Sequence, residues 1–294
     1  MAVATLDGDF EGTFPFEARY VSAGDIRLHY VDEGPRDAPP LLLVHGNPTW
    51  SYLWRKPLAE LPAQGRRCVA FDHMGFGRSD KPSQLSAYSL ERHVDNALAL
   101  IDALDLSDVT LVAHDWGGPI GLGALLQRSE RLRGLVLMNT WAWELPSFLP
   151  PFLREFRTEG LGEILALGGN LFVESIPGGM HRRDTDPVMM DAYRAPFPDY
   201  WSRAGTLAFQ REIPLTERDR SAPLMASIHE RLADVSVPVM LVWGMRDPVF
   251  QPVFLEQWQE LFPNAETVEL AEASHYLVED DPDAVTGAIE RFLR

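Results

Sequence analysis

The sequence is poor in cysteine and lysine and has no long apolar run. Its single cysteine, Cys68, excludes an intrachain disulfide and a cysteine-built metal cluster. Cys68 lies in the apolar run Arg67-Cys68-Val69-Ala70-Phe71 and reads as a small buried side chain. Lysine occurs only at Lys56 and Lys81, and the 26 basic residues face 43 acidic ones, a formal charge of −17. That balance argues against nucleic acid or an anionic membrane as partner, since both require clustered positive charge. It offers no general attraction to an anionic substrate, so a neutral one is expected. No stretch of ~18 apolar residues is present to span a bilayer. The start, Met1 to Asp7, carries neither a basic nor an apolar region, so no signal peptide is expected and a cytoplasmic location is the default. The eight histidines show no H-E-x-x-H spacing, and no G-x-G-x-x-G leads a strand into a helix, so no metal or other cofactor is expected. The glycines at 75 and 77 are not a nucleotide loop.

What is present is an ordinary globular composition, with 46% hydrophobic and 23% charged residues over 294 positions. A chain of this length buries a core without staples. Strand-like stretches at Glu17–Val21 and Ile26–Val31 precede an alternation of apolar runs and helical patterns. Leu41–His45, Arg67–Asp72, Val109–Ala113 and Leu132–Met138 read as strands; Leu90–Leu106, capped by Ser89, and Gly117–Gln127 read as helices. Continuously apolar strands separated by helices imply a doubly wound, mostly parallel sheet covered on both faces. Residues 141–230 break the alternation with Trp, Phe, Pro and Gly and short helical fragments at Phe152–Arg157 and Leu161–Leu167. A helix near Met225–Leu232 returns the chain to the core. Strand Pro238–Trp243, helix Val253–Leu261, strand Glu266–Leu270 and helix Ala284–Leu293 then resume the pattern. The expected organisation is an α/β core of residues 1–140 and 231–294 with a helical cap, 141–230, inserted over the carboxyl ends of the strands, where ligands bind in such sheets.

The chemistry concentrates at those strand ends. Ala113-His114-Asp115-Trp116-Gly117 is a small-x-nucleophile-x-small turn from strand to helix, the nucleophile elbow. Aspartate suits attack on an alkyl carbon, because the resulting ester can be cleaved by water whereas the ether left by serine cannot. With an ordinary pKa near ~3.9 it needs no base to activate it. Helix capping is the bland alternative for an Asp there. Asp247, in Gly244-Met245-Arg246-Asp247-Pro248, and His275, in Ala273-Ser274-His275-Tyr276, follow the last two strands. Nucleophile, acid and histidine in that order are the α/β-hydrolase arrangement. Asp247 would orient His275, and neutral His275 would activate water. The loop His45-Gly46-Asn47-Pro48 follows the third strand, so the backbone N–H groups of Asn47 and Trp116 form the expected oxyanion hole. His45 and His114 read as structural.

Together these residues resemble the haloalkane dehalogenases. The likeness runs through His45-Gly46-Asn47-Pro48-Thr49-Trp50-Ser51-Tyr52-Leu53-Trp54-Arg55, Asp72-His73-Met74-Gly75-Phe76-Gly77-Arg78-Ser79-Asp80, His114-Asp115-Trp116-Gly117-Gly118 and Ser274-His275-Tyr276-Leu277-Val278-Glu279-Asp280. It implies displacement of halide from a neutral haloalkane by Asp115, then hydrolysis of the ester by water activated by His275. It also implies a halide site made by the side chains of Asn47 and Trp116, with halide ion as product. One subgroup places its acid as Glu after the strand ending at Met138; Asn139 stands there, so the acid falls to Asp247, as in the third subfamily. The cap residues Phe148, Leu149, Phe152, Leu153, Leu171 and Phe172 are expected to line an apolar pocket. Trp141, Trp143 and Trp201 read as pocket walls or core rather than additional halide donors. Epoxide hydrolases share the elbow but need two cap tyrosines, for which Tyr193 and Tyr200 are available. A hydrolase-fold protein that merely binds a small ligand would show a broken triad, and none is broken.

Overall fold

A computed structural model describes residues 6, 8–145, 150–181 and 185–294. Among these, eight strands form one sheet in the order β1-β2-β4-β3-β5-β6-β7-β8. They are β1 (Arg19–Ala23), β2 (Ile26–Glu33), β3 (Pro40–Val44), β4 (Arg67–Phe71), β5 (Val109–Asp115), β6 (Leu132–Thr140), β7 (Val239–Gly244) and β8 (Glu266–Leu270). β2 pairs antiparallel with both β1 and β4, and every later pairing is parallel. Every residue of β3, β4, β5 and β7 is buried, as expected of strands sandwiched between two helical layers. This is the doubly wound, mostly parallel sheet that the alternation of strands and helices predicts.

The helices are α1 (Arg55–Glu60), α2 (Leu90–Ala103), α3 (Gly117–Leu125), α4 (Pro151–Arg157), α5 (Leu171–Glu174), α6 (Pro187–Arg194), α7 (Ala204–Arg211), α8 (Ala222–Arg231), α9 (Pro252–Leu261), α10 (Leu277–Asp280) and α11 (Pro282–Phe292). Ser89 caps α2 as expected, its hydroxyl accepting from the Arg92 N–H at 3.0 Å. That helix stops at Ala103 rather than Leu106, because Asp105 takes a left-handed φ of 47°. Residues 163–168 wind as a π-helix where an ordinary helical turn was expected.

Between β6 and β7 the described residues form no strand. Their helices lie against the carboxyl end of the strands: the Trp50 indole donates to the Ala192 carbonyl at 3.0 Å, and Asn47 Nδ2 donates to the Thr206 carbonyl at 3.1 Å. A partly buried ion pair joins α1 to α10 and anchors Tyr193 of α6. Arg55 donates to both carboxylate oxygens of Glu279, at 2.5 and 2.6 Å, and the Tyr193 hydroxyl donates to the same carboxylate.

Candidate active site

Neighbouring strands deliver neighbouring functional groups. In the order β3-β5-β6-β7-β8, the carboxyl ends carry Asn47, Asp115, Asn139, Asp247 and His275. Asp115 ends β5 with φ 52°, a left-handed conformation that costs a non-glycine residue energy. The β5–β6 register shifts between His114 and Asp115 at this point. The surrounding residues hold the bend. The Thr140 hydroxyl donates to the Asp115 carbonyl at 2.6 Å. A Cβ on Gly46 would lie 2.1 Å from Asp115 Oδ1, and one on Gly117 would lie 2.1 Å from the Val44 carbonyl, so only glycine lets the loop and helix come this close.

The Asp115 carboxylate is bracketed by donors. The Asn47 backbone N–H donates to Oδ1 at 2.8 Å, and the Trp116 backbone N–H also bonds the carboxylate. Burial pushes its pKa up to about 6, against the pull of His275 and the two N–H groups. The unperturbed value expected from sequence therefore does not hold, although the carboxylate stays largely ionised at neutral pH.

His275 Nε2 lies 4.0 Å from Asp115 Oδ2, and its Nδ1 lies 2.9 Å from Asp247 Oδ2. Burial alone would lower the imidazole pKa, but Asp247, helped by Asp115, outweighs it and the net shift is upward. Burial would raise Asp247, yet His275, the Val249 N–H and Asn139 hold it below the usual carboxylate range. The Asn139 carboxamide donates to Asp247 Oδ2 at 2.8 Å while its Oδ1 accepts the Gly244 N–H at 2.7 Å. Asn139 thus extends the β6–β7 pairing and grips the acid at once; read from sequence it was only a missing Glu. His114 bonds the His275 carbonyl at 2.8 Å through Nε2, and His45 Nε2 accepts the His73 N–H at 3.0 Å, so both histidines support the loops.

A cavity of ≈ 290 Å³ opens onto these groups, walled mainly by Trp141, Leu145, Leu153, Phe172, Phe250 and Phe254. Asn47, Asp115, Trp116 and His275 all line it. Asn47 spends one amide N–H on Thr206 and keeps a second, and no described residue accepts the Trp116 indole N–H. Leu153 and Phe172 are in the wall as expected, but Leu171 is 42% exposed and outside it, because the short α5 turns that side chain to solvent. Phe148, Leu149 and the Phe152 side chain lie outside the described residues. Trp141 is in the wall, whereas Trp143 packs on Phe254 and Trp258, and Trp201 is 64% exposed. Neither tyrosine required by an epoxide hydrolase lines the cavity: Tyr193 is bound to Glu279, and Tyr200 is exposed. Among the described residues no group of three or more His, Cys, Asp or Glu side chains could hold a metal ion, and no helix is long and apolar enough to cross a membrane.

Residues 39–167 and 181–282 match the family described as the alpha/beta hydrolase fold. The chain is 38% identical over 286 residues to a cis-3-alkyl-4-alkyloxetan-2-one decarboxylase of Shewanella oneidensis, covering 95% of this chain and 89% of the relative. It is 37% identical over 282 residues to haloalkane dehalogenase 2 of Mycobacterium tuberculosis, covering 95% and 96%. The crystal structure of an ancestral haloalkane dehalogenase, AncHLD2, superposes with a TM-score of 0.85 at 36% identity, over 94% of this chain and 99% of that one. The chain belongs to the α/β-hydrolase fold family and, within it, to the haloalkane dehalogenases, hydrolases that act on carbon–halide bonds.

Proposed function

We propose that residues 141–230 act as a cap over the site and that Asp115, His275 and Asp247 perform the dehalogenation in two steps. Asp115 attacks the halogen-bearing carbon from behind through Oδ2, the oxygen facing His275. The carbon–halogen bond breaks with its electron pair on the halide. The N–H groups of the Asn47 side chain and the Trp116 indole receive the developing anion; being neutral, they stabilise it without quenching the nucleophile. In the second step His275 Nε2 takes a proton from water, whose oxygen adds to Asp115 Cγ. The backbone N–H groups of Asn47 and Trp116 face the oxyanion so formed. Collapse breaks the ester C–O bond, and the alcohol leaves with a proton while His275 returns one to solvent. The sum is haloalkane plus water giving alcohol, halide and a proton.

The observation that carries this reading is the carboxylate–imidazole–carboxylate line at a mainly apolar cavity, with a 4.0 Å gap between Asp115 and His275. No hydrogen bond ties the nucleophile to the base across that gap, and one intervening water suffices to relay the proton. The predominantly apolar wall fits a neutral halogenated alkane, and ≈ 290 Å³ fits a short one. The test is halide release from 1-bromobutane and 1,2-dibromoethane, with Asp115→Ala as control and styrene oxide alongside. Bromide release lost in the variant supports the assignment; diol from the epoxide without bromide overturns it.

The decarboxylase relative motivates a second reading, opening of an oxetan-2-one by the same carboxylate. That reaction yields alkene and carbon dioxide with no net water. Incubation with a cis-3,4-dialkyl-oxetan-2-one, read by alkene formation, separates the two activities. A ring bearing two alkyl chains makes the greater demand on a cavity of this size.

A further inference from the structure

Several polar groups of the cavity wall, among them Ser175, Gln210, Tyr276 and the Trp141 indole N–H, have no part in the chemistry above, and of these Gln210 alone carries a carboxamide. It lies on α7, is 5% exposed and lines the cavity. Among the described residues its buried Oε1 has no hydrogen-bond partner, and none bonds its amide nitrogen. Its backbone is fixed by contrast: Arg157 donates to the carbonyls of both Gln210 and Ile213. A carboxamide buried beside an apolar wall with nothing to bond is costly, and its retention calls for a partner that arrives with the ligand.

Helix α7 also sets where that partner sits. The Thr206 carbonyl holds the Asn47 carboxamide, and the Phe209 ring packs edge-on against Trp116 with centroids 4.9 Å apart. Gln210 is four residues after Thr206, on the same face and about one turn, ~5.4 Å, further along the axis. The carboxamide lines the same cavity as the halide donors, so a substrate held at those donors shares its space. It offers both a donor and an acceptor and no charge.

We propose that Gln210 is a specificity-determining residue that hydrogen-bonds a neutral oxygen function, a hydroxyl above all, carried several carbons from the halogen, so that the preferred substrates are halogenated alcohols rather than plain haloalkanes. The inference rests on the dehalogenation reading and names its substrate class. A site built around such a bond discriminates against the analogue lacking the group, because the amide is then left buried and unpaired.

The test compares kcat/KM for 4-bromobutan-1-ol with 1-bromobutane, and for 6-bromohexan-1-ol with 1-bromohexane, in the wild type, Gln210→Leu and Gln210→Met. The bromoalcohol-to-bromoalkane ratio at the better-fitting length falls about tenfold in both variants, the size of one neutral hydrogen bond. Thermal unfolding checks that both are folded, and the second variant covers failure of the first. A ratio unchanged by either substitution, with both substrates slowed or quickened alike, overturns the proposal. Quenching of tryptophan fluorescence by 1,4-butanediol and 1-butanol reads the same preference without turnover. If no bromide is released from any of the four substrates but the diol preference is lost in the variants, dehalogenation fails while Gln210 recognition stands.

Discussion

The Asn139 carboxamide donates to Asp247 Oδ2 at 2.8 Å, the same oxygen that bonds His275 Nδ1 at 2.9 Å. One carboxylate oxygen is thus shared between the imidazole it orients and an asparagine from the adjacent strand. The bond also helps keep Asp247 ionised and so sustains the charge that stabilises the imidazolium during ester hydrolysis.

Asn139→Leu removes that donor and leaves the Gly244 N–H without its acceptor. The expected loss is about ten- to a hundredfold in ester hydrolysis, on the scale of ~1.5–3 kcal/mol for one bond to a charged group. Alkylation of Asp115 should proceed at its former rate, since Asn139 does not touch the nucleophile. Rapid-quench measurement of the two steps checks this; equal slowing of both would refute the positioning role.

Replacing His275 with Phe removes the base but leaves Asp115 and both halide donors in place. One equivalent of bromide should be released and the alkyl ester should remain on Asp115. Intact-mass spectra of the folded variant after incubation with 1-bromobutane read the adduct directly, and an unmodified protein would sink the assignment of His275.

The two steps should respond differently to acid. Asp115 must be ionised to attack, so alkylation falls as pH drops through about 6, where it takes up a proton. His275 must be neutral to act as base, and its pKa is raised partly by the charge on Asp115. Ester formation erases that charge, so His275 in the alkyl-enzyme should titrate lower than in the free enzyme, and the base becomes more available when it is needed. Single-turnover hydrolysis followed against pH, beside an NMR titration of free His275, tests the order of the two values. A profile flat between about pH 5 and pH 9 contradicts both assignments.

The sequence exposes the sheet because β3, β4, β5 and β7 are buried on both faces and so appear as unbroken apolar runs. Of the five site residues named from sequence, Asn47, Asp115, Trp116 and His275 line one cavity and Asp247 bonds His275 from behind, since each sits at or just beyond a strand terminus and the strands are neighbours. What the sequence hides is contact across the long segment before β7. Thr206 holds Asn47 from 159 residues away, and no local pattern marks it. Gln210 sits in a helix of ordinary composition, and its unpaired amide is a property of packing alone. Asn139 could have been flagged: an asparagine at a strand end, here with φ 33°, is a residue type that tolerates that geometry.

Asp115 is held at a cost to the fold. Its folded pKa of about 6 exceeds the ordinary value of 3.8, so the native state binds the proton more tightly than the unfolded chain between those limits. Its destabilising contribution is therefore absent below the lower value, grows as pH rises, and is complete above the upper one. Asp115→Asn should stabilise the protein by up to about 3 kcal/mol at pH 8 and by little near pH 4. Denaturant midpoints at the two pH values check the sign, and a variant less stable than wild type at pH 8 would contradict it.

Glu279 offers the opposite case, a carboxylate that the fold needs. It receives two bonds from Arg55 and one from Tyr193, and it lies in α10, four residues after His275. Glu279→Ala strands the partly buried Arg55 guanidinium and the buried Tyr193 hydroxyl together. Full burial of such a pair would make its rupture cost about 3–5 kcal/mol, and the partial exposure of Arg55 reduces this to about 2–3 kcal/mol. Tyr193→Phe removes only one hydrogen bond and should cost about 1 kcal/mol. Loss of the Glu279 anchor also frees the start of α10, so His275 should be less well held over Asp115 and ester hydrolysis should slow in Glu279→Ala beyond any effect of Tyr193→Phe. Urea unfolding of both variants, with single-turnover hydrolysis measured well below their midpoints, separates the two effects. Equal destabilisation by the two substitutions would mean that the ion pair contributes nothing beyond the tyrosine bond.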